Sequence, residues 1–175
     1  MDELFKNNSY RILELFIEEP TKEFSARGIA REVNITHATV LKYLKQMLKL
    51  ELIIENKKTL YPTYYANTEN EKYIFYKKNH ILFKIKESGL IEFIQSQVLP
   101  SCIVLFGSCA KGYYNQNSDI DIFVEAEEKK IDHSKYEKKL KREINLLYEK
   151  KFKDLSKELR NNIIEGVRLY GFIRI

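Results

Sequence analysis

Cysteine is scarce, with two in 175 residues, and no apolar run approaches the roughly 20 residues that a membrane-spanning helix needs. The second absence excludes a helical membrane span, and no membrane partner is expected. Cys102 falls in a predicted buried strand and Cys109 in a turn; their spacing matches no zinc site, and they read as reduced thiols. Met1-Asp2-Glu3 is acidic where a secretory leader is basic, so the expected compartment is the cytoplasm. Internal repeats and low-complexity segments are missing too. Charge of one sign does not dominate: 30 basic against 25 acidic residues give +5 and a pI near 9.0, compatible with a polyanionic partner but not diagnostic of one. What remains, 44% hydrophobic and 31% charged, is ordinary for a soluble chain of one domain or two small ones.

The first third has helical punctuation. Asn8 or Ser9 can cap a helix whose stripe is Ile12, Leu13, Phe16 and Ile17, stopping before Pro20. Glu23-Phe24 is a short extended piece. Ser25 caps a second helix bearing Ile29, Ala30 and Val33 and ending near Asn34, and Thr36 caps a third. In that third helix Val40, Leu44, Met47 and Leu48 form the core stripe. Thr36, His37, Thr39, Lys42, Tyr43, Gln46 and Lys49 face elsewhere, a face without an acid. Leu52–Glu55 and Thr59–Tyr65 follow as strands about the polar turn Asn56-Lys57-Lys58.

Residues 1–66 therefore resemble a winged helix-turn-helix, a mostly helical α+β domain. The resemblance implies a third helix in the major groove of double-stranded DNA. Thr39, Tyr43 and Gln46 would lie toward the bases and Lys42, Lys45, Lys57 and Lys58 toward phosphates, with Thr36 and His37, at the start of that helix, counted on the DNA-binding side as well. It also implies homodimerisation to match two half-sites. Ten basic against nine acidic side chains in this segment leave a dimerisation or docking module open as well.

Residues 67–100 read as a helical connector. Asn67-Thr68 caps a helix through Tyr73, Ile74, Tyr76, Ile81, Phe83 and Ile85 to Ser88-Gly89, its aromatic stripe serving as core or interface. Leu90–Leu99 is a second helix, closing at Pro100.

The chemistry concentrates in Cys102–Val124. Cys102–Phe106 is a continuous apolar run, as in a strand buried on both faces, ending at the turn Gly107-Ser108. The run Asp119–Val124 alternates, so Ile120, Ile122 and Val124 share one face while Asp119 and Asp121 share the other. Two carboxylates on one point repel unless a cation holds them, and hard oxygen donors suit Mg²⁺. Gly107 admits close backbone approach, and Gly107-Ser108 offers amides and a hydroxyl to phosphate.

Gly107-Ser108-Cys109-Ala110-Lys111-Gly112, a short loop, and Ser118-Asp119-Ile120-Asp121 together resemble the signature of the nucleotidyltransferase superfamily, that of DNA polymerase β, and especially its minimal prokaryotic members. The resemblance implies a C-terminal α/β domain with a mixed sheet over residues 101–175. It also implies Mg²⁺ as cofactor and a nucleoside triphosphate, ATP, as substrate. Gly107, Ser108, Lys111, Gly112 and Ser118 would bind the nucleotide, and Asp119 and Asp121 the metal. Lys111 stands where the minimal group often has Arg, keeping the charge without the bidentate fork. The family's third carboxylate falls in Ile144-Asn145-Leu146-Leu147, where this chain has Asn145; Glu143, two residues back, is the other candidate for that role.

Around that site the pattern predicts a solvated turn over Glu125–Lys130, a surface helix over His133–Lys141 and a strand over Glu143–Tyr148. A last helix, capped by Asp154 or Ser156, carries Leu159, Ile163 and Ile164 to Gly166, and an edge strand spans Val167–Tyr170. Two functions follow. One is a Mg²⁺-dependent transferase of NMP, AMP from ATP, to a hydroxyl; relatives of this kind pair with helical partner proteins in toxin-antitoxin systems. The other is a DNA-binding regulator whose transfer site, with Asn145 in place of a carboxylate, binds nucleotide or a partner without turnover.

Overall fold

The computed structural model describes residues 7–58 and 60–173, and the chain divides into two compact units between Lys77 and Lys78. The first unit contains α1 (Asn8–Glu18), β1 (Phe24–Ser25), α2 (Ala26–Val33), α3 (His37–Lys49), β2 (Ile53–Asn56), β3 (Thr63–Ala66) and the start of α4 (Glu71–Ser88). Asn7 caps α1, its Oδ1 accepting from Tyr10 N at 2.8 Å, one residue ahead of the expected Asn8 or Ser9. Ser25 Oγ accepts from Gly28 N and Thr36 Oγ1 from Thr39 N, so α2 and α3 start at the caps read from sequence. Between them Asn34 turns left-handed at φ 54°, a conformation that asparagine tolerates better than most residues.

Antiparallel strands in the order β1-β3-β2 close this unit, with Ile53 opposite Ala66 and Phe24 opposite Tyr64. The second strand is shorter than the pattern predicts. It begins at Thr63, because Leu60 and Tyr61 extend the loop into solvent; the expected start, Thr59, lies outside the described residues. The core joins Ile12, Phe16 and Ile17 of α1 to Ile29, Val40, Leu44 and Met47, and Tyr73 of α4 donates its hydroxyl to Phe16 O at 2.9 Å. The cap of α4 is Asn70, accepting from Lys72 N and Tyr73 N, and not Asn67-Thr68: residues 67–70 form a turn closed by Asn70 N to Asn67 O.

The second unit continues with α5 (Leu90–Val98), β4 (Cys102–Phe106), α6 (Gly107–Lys111), β5 (Ile120–Glu125), α7 (Ser134–Leu140), β6 (Ile144–Glu149), a 3-10 turn (Phe152–Asp154), α8 (Lys157–Ile164) and β7 (Val167–Gly171). Its sheet runs β6-β5-β4-β7 and is mixed: β4 is antiparallel to β5 and β7, and β5 is parallel to β6. A parallel pair needs a crossover, which α7 supplies. Ile103, Leu105, Ile120, Ile122 and Val124 pack with Ile81, Ile85 and Ile94, while Cys102, Val104 and Phe123 pack with Phe152 and Ile163. Both faces of β4 are thus covered, as its unbroken apolar run requires. Gly166 admits α8 to this layer, since a Cβ there would run into the Leu105 carbonyl.

Two expectations need correction here. Glu125 does not belong to a solvated turn: it closes β5, is 8% exposed, and accepts from Ser101 Oγ at 2.6 Å and Phe152 N at 2.9 Å. Those two donors satisfy a carboxylate that burial would otherwise penalise. Glu143 lies outside β6, which begins at Ile144 and runs one residue further than expected, to Glu149. Among the described residues, no helix is long and apolar enough to cross a membrane.

Candidate active site

The geometry begins where β4 ends. Its antiparallel register places Phe106 opposite Asp121, and the chain then turns at Gly107 with φ +70° into α6. Gly107-Ser108 is therefore the first step of a short helix and not the plain turn expected, and Gly112 ends that helix at φ +82°. A Cβ on Gly107 would lie 2.5 Å from Asp121 Oδ2. Backbone angle and close approach thus both demand glycine at this position. Gly107→Ala is expected to cost about 1–2 kcal/mol in thermal unfolding from the left-handed backbone alone. The displacement of Asp121 should add a loss of function larger than the loss of stability, measured as nucleotidyl transfer by the folded fraction.

Asp119 immediately precedes β5, and Asp121 is its second residue. Because β5 and β6 are parallel with Asp121 beside Asn145, all three side chains leave the sheet on one face, while Ile120 and Ile122 go into the core. Asn145 Nδ2 stands 3.1 Å from Asp119 Oδ2 and 3.2 Å from Asp121 Oδ1. One amide N–H₂ group bridges two carboxylates at the point where a cation between them would sit. All three side chains can present oxygen, the donor set of a hard divalent ion, once the amide turns its Oδ1 inward.

The other expected residues divide. Ser108 follows Gly107 in the first turn of α6, whose amides lack helical acceptors. Lys111 is ion-paired with Glu165 at the end of α8, Nζ to Oε2 2.7 Å, and both are substantially exposed. Such a pair is worth little in water, so an anion at α6 can compete for the ammonium. Ser118 shapes the approach to Asp119, its Oγ accepting from Asn115 N at 2.9 Å. Glu143 contributes its carbonyl to Ile120 N at 2.9 Å, and no described hydrogen bond links its carboxylate to either aspartate. It lines a polar pocket of about 300 Å³ beside Asp119, together with Gln116, Asn117, Ser118, Lys141 and Arg142.

Sequence reading missed two groups here, Arg142 and Glu165, and took a third, Cys109, only as a reduced thiol in the turn. Arg142 donates to the carbonyls of Asn115, Gln116 and Ser118, yet among the neighbouring lysines of α7 nothing marked it out. Cys109 sits beneath the site with Sγ 3.2 Å from Asp119 O; burial pushes its thiol up to about 11, so it stays protonated and neutral. Glu165, the partner of Lys111, carried no signal of its own in the sequence.

In the first unit the basic candidates reach solvent: Lys42 and Lys45 on α3, Lys57 beside Glu55 at 3.2 Å, and Lys58 in the loop. Thr36, His37 and Gln46 are exposed, and Thr36 and Thr39 hydrogen-bond each other at 2.8 Å. Tyr43 differs from the outward placement expected, packing half-buried against the core.

A buried strand thus ends in a short helix opened by glycine, beside one aspartate at the start of the neighbouring strand and another just before it. Residues 87–170 match the family described as nucleotidyltransferase domain, from the last turn of α4 into β7. The match supports the nucleotidyltransferase superfamily for this segment and, with it, a general nucleotidyl-transfer activity; such a domain implies a nucleotide substrate and usually a divalent metal. No curated protein and no solved structure matches the chain.

Proposed function

We propose that the second unit transfers NMP from a nucleoside triphosphate, ATP, to an acceptor hydroxyl with Mg²⁺, and that the first unit is a winged helix-turn-helix that binds DNA or a partner. The observation that carries this reading is the convergence of Asp119 Oδ2 and Asp121 Oδ1 on one point, beside a glycine whose left-handed backbone and close approach to Asp121 disfavour any side chain. The residues present fit a divalent cation: two carboxylates supply charge, and Asn145 Oδ1 supplies a neutral third ligand. Bound there, the ion would neutralise charge on the phosphoryl group and ease ionisation of the acceptor.

The chain's own part is positioning. Gly107 and the first-turn amides of α6, with the Ser108 hydroxyl, hold the triphosphate against Asp121, and Gly112 takes the left-handed backbone that ends α6. Lys111 leaves Glu165 to meet phosphate oxygen as a point charge. The acceptor enters beside Asp119, and its oxygen forms the new bond to the α-phosphorus as pyrophosphate leaves. Its proton departs through an Asp119 oxygen, since Asn145 has no basic atom. The test is transfer of label from α-labelled ATP, with Mg²⁺, into the protein, RNA and small-molecule fractions of a lysate. Label in one fraction identifies the acceptor; ATP bound without label anywhere defeats the transferase reading.

A second reading has its own observation. The Asn145 amide already satisfies both aspartates, and α3 carries exposed lysines with no acid. On that reading the chain is a DNA-binding regulator, dimeric on paired half-sites, with a site that binds nucleotide or a helical partner protein without turnover. Lys42→Gln with Lys45→Gln then lowers the log–log salt slope of duplex-DNA binding by about 2, one unit for each phosphate left without its lysine. Fluorescence anisotropy across a salt series measures it; an unchanged slope removes α3 from the DNA interface.

A further inference from the structure

Residues 113–118 join α6 to Asp119, and their shape is set locally. Asn117 N donates to Asn115 Oδ1, Asn115 N to Ser118 Oγ and Ser118 N to Asn115 O, at 2.9, 2.9 and 3.2 Å. Those bonds define a compact turn without fixing where it sits relative to β6. Arg142, just before β6, provides that link. Its Nη1 donates to Asn115 O at 2.5 Å and Ser118 O at 3.0 Å and reaches Gln116 O at 3.4 Å, while its Cζ lies 4.8 Å from the centroid of the buried Tyr114 ring. The Arg142 backbone is tied in turn to α7, its N donating to Glu137 O at 3.2 Å.

We propose that Arg142 is a positioning residue of this site: by clamping the turn's carbonyls and stacking on Tyr114, it holds Asp119 beside Asp121 and Asn145, the three groups that would bind a divalent cation. The proposal rests on the metal-dependent reading above. Arg142 and Asn145 belong to the same short stretch of chain, so one element locates both the third ligand and the turn that delivers the first. Ser118 O, one of the clamped carbonyls, belongs to the peptide that ends at Asp119 N; a shift of that peptide moves the carboxylate directly. Arginine is suited to this in two ways that lysine is not, through a planar multi-donor head and stacking on an aromatic face.

Mn²⁺ titration followed by electron paramagnetic resonance tests this on the full chain, for wild type, Arg142→Ala, Arg142→Lys and Tyr114→Leu. Arg142→Ala is expected to weaken Mn²⁺ binding about 10-fold or more, the usual range for groups that orient metal ligands from behind. Arg142→Lys should recover little of it, and Tyr114→Leu should weaken binding while leaving every charge in place. Added ethylguanidinium should restore part of the Arg142→Ala affinity where ethylammonium does not. If Arg142→Ala does not fold by circular dichroism, the lysine and leucine variants carry the comparison. Folded variants with wild-type Mn²⁺ affinity overturn the proposal, as does equal rescue by both cations, which would make the effect one of charge alone. A wild-type chain that takes no Mn²⁺ overturns the metal-dependent reading itself, and this inference with it.

Discussion

Asp119→Asn combined with Asp121→Asn is expected to reduce nucleotidyl transfer by about a thousandfold or more while leaving the fold intact. The size follows from what the pair would do. Charge neutralisation at a phosphoryl group by a metal is worth several kcal/mol, and each 1.4 kcal/mol is a factor of ten in rate. Two amides can still present oxygen, but they bring no charge to offset that of a divalent ion, so binding and rate fall together. Stability should move the other way, if it moves. Without a cation the two carboxylates face each other across the single amide of Asn145, at 3.1 and 3.2 Å from its Nδ2, and removing both charges relieves their repulsion. The double variant should therefore melt no lower than wild type in EDTA, and the wild type should gain more from added Mg²⁺. Transfer that survives the double substitution would show that the chemistry lies elsewhere in the chain.

Some parts of this fold and site are legible in the sequence, and others depend on contacts made far along the chain. The alternation Asp119–Val124 announced its two faces because a strand has a period of two, and the register with β4 and β6 could only reinforce it. The caps at Ser25 and Thr36 were legible for the same local reason: a hydroxyl three residues before a free amide needs no tertiary context. Glu125 was misread because burial of a carboxylate depends on donors 24 and 27 residues away, Ser101 and Phe152, which no local pattern reveals. Arg142 escaped notice likewise, since its acceptors lie 24 to 27 residues back along the chain. The Lys111–Glu165 pair, 54 residues apart, is the extreme case. Local chemistry places the elements of this site; the groups that hold those elements together are contributed across the sheet.

Asn145→Asp is the substitution that separates the two functional readings, and its effects should be large in opposite directions with and without metal. In the wild type the amide donates to both aspartates and so does, weakly, what a cation would do. Replacing it by a carboxylate removes both hydrogen bonds and adds a third negative charge at the same point. Coulomb repulsion between close charges near a protein surface is about 4 kcal/mol per pair before screening. Asn145 is exposed and both aspartates are partly so, and water reduces this to about 1–2 kcal/mol net. For a chain of this length that lowers the melting temperature in EDTA by about 2–8 °C. Saturating Mg²⁺ should more than reverse the loss, because three carboxylates bind a divalent ion better than two and an amide. If the chain is a working transferase slowed by its neutral third ligand, transfer by Asn145→Asp should rise about tenfold or more, since an aspartate can also take the acceptor's proton. If it is a regulator that binds nucleotide without turnover, metal affinity and the Mg²⁺-dependent melting shift will rise and transfer will stay at background, which would locate the loss of catalysis beyond this one residue. A melting temperature unchanged in EDTA would contradict the shared point itself, because a new carboxylate that costs nothing there cannot be facing the other two.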